Sequence, residues 1–250
     1  MTATSTDEEL GRAVGELAGG DPDRSALRRL ATLAGRSMKA AGARSVATGA
    51  WLAGAVVDAV PHIPVRDAAT LSAQHGGLTG DRLAAEVVRA ASHTTAGFGA
   101  VAGALATTHE LIPPTWAAIP AELLVETLAV VAVEMKLVAE LQEVYGMPVT
   151  GTPAERSVAI IGAWAESRGI TPQALLRPGG LAQVLGRGSR RELARMLQRR
   201  LAFRALRSTS ALIPLMAGAV AGAELNRRAT KAIGEKVSRD LSNAQRTAMK

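Results

Sequence analysis

Nowhere along this chain of 250 residues do β-branched and aromatic residues alternate with polar ones as a half-buried strand requires. That absence leaves the helix as the regular structure on offer. The apolar residues point the same way: they make up 48% of the chain while aromatics make up 2%, so a core has to be assembled from Ala, Val, Leu and Gly. Ala and Leu are the strongest helix formers. The expected fold class is all-α, an Ala/Gly-rich multi-helix bundle with a basic C-terminal helical region.

Local punctuation divides the chain. Helix starts are marked by Asp21-Pro22, by Thr152-Pro153-x-Glu155 with the spacing of a capping box, by Thr171-Pro172, and by Ser189 with Glu192. Stops are marked by Gly42, Gly76-Gly77, Gly146, Gly169 and Gly179-Gly180. Helices are therefore expected near 6–18, 23–41, 44–59, 66–75, 80–111, 120–145, 153–168, 172–177, 189–207 and 209–245. The last is expected to break near Pro214 or Glu224, and 80–111 at the glycines of TTAGFGAVAGAL. Residues 1–20 read as an N-terminal helix or flexible arm and 21–250 as a single domain.

Four apolar stretches, 45–60, 94–108, 117–133 and 208–223, raise the question of a membrane. None is a clean run of about eighteen strongly hydrophobic residues, because most of their bulk is Ala and Gly. Gly99-x-x-x-Gly103 and Gly218-x-x-x-Gly222 have the small-residue spacing that lets helices touch closely, in a bilayer or in a soluble Ala-rich bundle. The bundle is the expected setting.

The segment ETLAVVAVEMKLVAELQEVYG (126–146) is apolar yet carries several charges. At about 100° per residue, Glu122, Glu126, Lys136 and Glu140 fall in one arc, with Glu143 beside it, which reads as a solvated stripe. Glu134 sits instead among Val130, Leu137, Val138, Leu141 and Tyr145. A carboxylate there needs a cation or hydrogen bonds, since burying a lone charge is costly. Glu134 is thus the buried-charge candidate, with Arg66, Arg89, Arg227 or Arg228 as partners, and a structural ion pair is the leading account of it.

Charge is distributed unevenly. Residues 1–150 hold 11 Lys/Arg against 16 Asp/Glu, a balance of −5, and residues 151–250 hold 18 against 6, a balance of +12. The densest basic segment is 187–208, with eight Arg against one Glu. Arg191, Arg195 and Arg199 share one helical arc, and Arg200, Arg204 and Arg207 another. Ser189, Arg190 and Arg191 at a helix start combine backbone N–H groups with guanidinium charge, an anion cradle. A solvated face is the plain reading of these arginines. The sharper ones are anionic lipid, favoured by the neighbouring apolar segments, and nucleic acid, for which neither an aromatic platform nor a helix-turn-helix cue is present.

Chemistry is sparse. Without cysteine there is no disulfide, thiolate metal site or cysteine nucleophile. His62, His75, His93 and His109 never fall at i, i+4, and they read as surface or capping residues. LRPGGLAQVLGRGS (176–189) lacks the order of a nucleotide-binding loop, and Gly-x-Ser-x-Gly does not occur. No catalytic residue, metal or cofactor is expected. The opening MTATSTDEELGRAV does not have the basic-then-apolar order of a secretory leader, so a cytoplasmic location is expected.

The glutamate-rich helix end KLVAELQEVYG and the C-terminal IPLMAGAVAGAELNRRATKAIGEKV, with Pro214, Gly218 and Asn226, resemble the EcsC family over roughly residues 40–245. The resemblance implies a helical, membrane-associated bacterial protein with no assigned reaction; the family's namesake accompanies a transporter involved in secretion. The expectation is therefore a non-enzymatic adaptor or regulator. It would sit peripherally on the inner face of the cell membrane, against anionic lipid, with a membrane protein of the same process as an optional further partner. A soluble nucleic-acid-associated or scaffold bundle is the alternative.

Overall fold

The Thr152 hydroxyl accepts from the Glu155 N–H at 3.3 Å, and the Glu155 carboxylate accepts from the Thr152 N–H at 2.8 Å. The capping box thus forms as its spacing predicts, with Pro153 in the first turn. The computed structural model describes residues 3–20, 24–48, 50–108, 121–169 and 212–248. Within them run α1 (Ala3–Gly19), α2 (Arg24–Thr48), α3 (Ala50–Ala59), a 3-10 turn (Val60–His62), α4 (Ala68–Gln74), α5 (Gly80–Thr108), α6 (Ala121–Val144), α7 (Pro153–Ser167) and α8 (Leu212–Ala248). The fold is an all-α multi-helix bundle, with no strand among the described residues. The starts expected at Asp21-Pro22, Thr171-Pro172 and Ser189, the stop at Gly179-Gly180, and the helices expected at 172–177 and 189–207 lie outside the described residues.

α6 is the axis of the bundle: every other α-helix packs against it. From Leu124 to Leu141 each residue except Thr127 is buried. Its C-terminal end is closed by Gly146 at φ 70°, where Met147 N–H reaches back to Gln142 O at 2.8 Å. An L residue with a side chain rarely takes that φ, so the glycine marks the stop.

Small residues set the helix spacings. In α1, Gly11, Gly15 and Gly19 form a stripe at four-residue intervals. A Cβ on Gly11 or Gly15 would lie 2.5 Å from Asp58 O or His62 O, and one on Gly19 2.7 Å from Pro64. The stripe lets α1 lie directly on the α3 end and the turn after it, while Leu10 and Val14 enter the core. The longest shared surface joins α5 to α8. There a Cβ on Gly99 would lie 2.5 Å from Gly222 O, and one on Gly222 2.6 Å from Gly99 O. The two backbones touch at this pair, one glycine from each of the two spaced motifs.

Two expected breaks are absent. α5 runs unbroken through its glycines, because a helical glycine facing another helix exchanges intrinsic propensity for close packing. α8 continues past both Pro214 and Glu224. Glu224 pairs with Arg227 and Arg228 one turn on, which supports the helix instead of ending it. Among the described residues no helix is long and apolar enough to cross a membrane.

Candidate functional site

α6 carries the least expected arrangement. Glu126, Lys136 and Glu140, expected on a solvated stripe, are 6%, 8% and 2% exposed. The helical phase is right, but α6 has no solvent face to offer, since helices surround it on all sides. The side chain of Glu122 lies outside the described residues. Each buried carboxylate is answered by a different part of the fold.

Glu140 is held by the loop after the 3-10 turn. Arg66 donates to it from Nε at 2.7 Å and from a terminal nitrogen at 2.8 Å, a two-pronged contact, with its backbone N–H at 3.3 Å. Lys136, one turn earlier, also bonds Glu140 and donates to Pro64 O at 2.5 Å. The bond from Glu140 raises the affinity of Arg66 for its proton. Burial lowers that of Lys136, partly offset by the same carboxylate.

Glu134, fully buried, is met by Arg168 at the end of α7, by Trp164 Nε1–H at 3.0 Å and by the Thr230 hydroxyl of α8 at 3.4 Å. The Arg168 guanidinium also lies over the Trp164 ring, 5.5 Å from its centroid. Arg168 therefore replaces the four partners expected for Glu134. Arg66 serves Glu140, Arg89 pairs with Glu86, and Arg227 and Arg228 pair with Glu224. The signal was local: Trp164 and Arg168 are one turn apart, just before the helix-ending Gly169, so both can reach the same carboxylate.

Glu126 completes the set. Asn226 of α8 donates from Nδ2 to Glu126 at 2.8 Å and to Thr95 O of α5 at 3.3 Å. It does so four residues after Gly222, at the point where α5 and α8 touch. Absent side chains at Gly99 and Gly222 bring Asn226 within reach of both neighbours.

α8 has the opposite character beyond this junction. Across 224–248 it holds six Lys/Arg against three Asp/Glu, with Arg228, Lys231, Arg239 and Arg246 exposed. Lys236 donates to Glu166 O and Ser167 O at 3.2 and 3.3 Å, satisfying carbonyls at the end of α7. Hydrogen bonds from Arg227 and Arg228 hold the Glu224 carboxyl down at about 2. Between α8 and α5 runs a groove of about 850 Å³, with Tyr145 at its α6 edge. The Tyr145 hydroxyl donates to Asp81 at 2.8 Å, and burial together with this bond pushes the phenol up to about 12.

His75 caps the end of α4, His62 closes the 3-10 turn, and His93 is exposed beside the groove; His109 lies outside the described residues. Among the described residues no three His, Asp or Glu are grouped to hold a metal. The basic candidates Ser189, Arg190, Arg191, Arg195, Arg199, Arg200, Arg204 and Arg207 lie outside the described residues. No protein-family model, no curated protein and no solved structure matches this chain.

Proposed function

We propose that this chain is a non-enzymatic helical module that docks peripherally on an anionic membrane surface through its cationic C-terminal third. There it would act as an adaptor or regulator of a membrane-linked process, as the resemblance to the EcsC family implies. The observation that carries the reading is the second half of α8, an uninterrupted helix whose net-positive side chains stand in solvent. The arginine-dense segment 187–208 adds to the same charge. Each cation near an anionic bilayer contributes about 1 kcal/mol, so a handful is enough for reversible docking.

The buried carboxylates of α6 favour a structural role over catalysis. Glu126, Glu134 and Glu140 each bond to groups from other elements, which leaves them poorly placed to exchange protons with a substrate. Nucleic acid is the weaker alternative. The described aromatics Trp51, Phe98, Tyr145 and Trp164 are all buried, so bases would find no stacking platform among the described residues.

Co-sedimentation of the full chain with vesicles tests the proposal. Binding to phosphatidylglycerol vesicles, weak binding to phosphatidylcholine, and release as salt shortens the screening length from about 10 Å at 0.1 M to about 3 Å at 1 M are expected. Equal binding to both lipids, or none to either, would refute it. So would nucleic-acid affinity that persists at salt concentrations where the vesicles are released.

A further inference from the structure

We infer that the groove between α5 and α8 is a binding site for a phosphate ester with an apolar body, its phosphate held by Arg239 and Arg246. The choice of anion class rests on the anionic-surface reading above; the groove itself rests on geometry. At about 850 Å³ it falls within the size range of small-molecule sites.

Most charges lining the groove are already engaged. Arg89 is paired with Glu86, Arg227 with Glu224, and Lys231 with Glu235 at 3.6 Å. Asp81 accepts from Tyr145. Two cations remain without a carboxylate among the described residues. Arg239 forms no ion pair there, and Arg246 donates only to Ser242, from Nε to the carbonyl at 3.3 Å and from a terminal nitrogen to Oγ at 2.8 Å.

These two share a stripe of α8 with the groove's hydroxyls. Residues 238, 239, 242 and 246 fall within about 100° of the helix circumference. The Ser242 hydroxyl accepts from Arg246 and keeps its own proton to donate. Ser238 Oγ is buried beside Tyr145, short of a well-formed hydrogen bond. Two guanidinium forks and two hydroxyls within little more than two turns match the several acceptor oxygens of a phosphate.

The opposite side is mixed. Ala84, Ala85 and Val88 of α5 supply methyl groups there, between the polar side chains of Asp81, Glu86, Arg89, Ser92 and His93. A bare phosphate would satisfy the arginines and leave that side empty. An ester places an acyl or other apolar group along it. The site thus offers two cations on α8 and a methyl strip on α5, which fits both a phospholipid and a soluble phosphate ester.

Calorimetric titration of the full chain tests this, using dihexanoyl phosphatidic acid as a monomer, inorganic phosphate, and vesicles containing phosphatidic acid. The Arg239→Gln/Arg246→Gln variant replaces exposed side chains and should keep the fold; Arg36→Gln, an exposed cation on α2 away from the groove, is the surface-charge control. The soluble ester should bind the parent chain and lose at least about tenfold in affinity in the double variant, as expected when charge-assisted bonds are removed. The control should match the parent. No binding of the ester, an equal loss in Arg36→Gln, or inorganic phosphate bound as tightly as the ester would each overturn the assignment.

The vesicle arm separates the two sources. Vesicle binding that falls with the double variant identifies a lipid headgroup; vesicle binding that is unchanged while the ester is lost identifies a soluble ester. Ester binding without vesicle binding keeps the groove and sinks peripheral docking. Vesicle binding without ester binding does the reverse.

Discussion

α6 and the second half of α8 are both charged helices, and they treat their charges in opposite ways. In α6, Glu126, Glu134, Lys136 and Glu140 are buried, and each carboxylate is matched to donors from another element. In α8, the side chains of Arg228 and Lys231 are 74% and 55% exposed, and their partners are a turn away on the same helix. The difference does not lie in charge content or in helical phase. It lies in the number of neighbours: α6 is surrounded, whereas α8 presents one side to α5 and another to water. A surrounded charge has to be neutralised where it stands, so it becomes a clamp between elements. An exposed charge adds little to stability and is available for a ligand.

The largest expected effect tests the clamp. Glu134→Ala strands Arg168, the Trp164 N–H and the Thr230 hydroxyl, and should cost about 3 kcal/mol, the usual penalty for breaking a buried pair from one side. Glu140→Ala leaves Lys136 facing Arg66 without a carboxylate and belongs to the same class. Urea midpoints of both variants measure the cost. A loss below about 0.5 kcal/mol, typical of a surface site, would erase the contrast between α6 and α8.

Part of that contrast was legible in the sequence. The helix limits, the capping box and the approach of spaced glycines follow from local chemistry, and the wheel places Glu134 on an apolar face. The same wheel assigns Glu126, Lys136 and Glu140 to solvent, because it reports angles and not how many helices surround an axis. Their neighbours confirm the misreading only in three dimensions: Pro64 and Arg66 precede Lys136 and Glu140 by some seventy positions, and Asn226 follows Glu126 by a hundred. Asn226 did leave a trace, a polar residue one turn after a glycine at a close crossing. The groove left none, since α5 and α8 are distant in the chain and neither carries a recognisable ligand motif.

The α5–α8 junction can be tested by refilling it. In Gly222→Ala the new Cβ would sit 2.6 Å from Gly99 O, against backbone that cannot turn aside. Overpacking of this kind costs about 1–3 kcal/mol, and here it also pushes Asn226 away from Glu126. Gly35→Ala in α2 has no atom within 4 Å of its new Cβ and should stabilise by about 0.5–1 kcal/mol. Equal responses in thermal melts would mean that the junction is not a close contact.

Tyr145 gives a smaller effect with a distinct pH signature. Tyr145→Phe removes the bond to Asp81 and should cost about 1 kcal/mol near neutral pH. The folded phenol titrates at about 12 against 10.0 for the free side chain. Its contribution is therefore complete below pH 10 and is lost as pH rises toward about 12, because the unfolded chain releases the proton first. The chain has a single tyrosine, so tyrosinate absorbance reads this group directly. An apparent value near 10 in the folded protein would place the phenol in solvent and separate it from Asp81.

The smallest stability effect belongs to α8, and it is the one that links the comparison to function. Arg228→Gln removes an exposed cation whose carboxylate partner among the described residues is Glu224, itself still held by Arg227. An exposed substitution of this kind changes stability by no more than about 0.5 kcal/mol, so the urea midpoint should stay in place. Binding to anionic vesicles should weaken by about 1 kcal/mol for the lost charge, and the weakening should fade as salt is raised. Stability and binding then separate cleanly: charges on α6 move the first and leave no surface to affect the second, while a charge on α8 moves only the second. A large fall in the urea midpoint with vesicle binding unchanged would assign Arg228 to the same structural class as Glu134, and the outer face of α8 would lose its claim to be a docking surface.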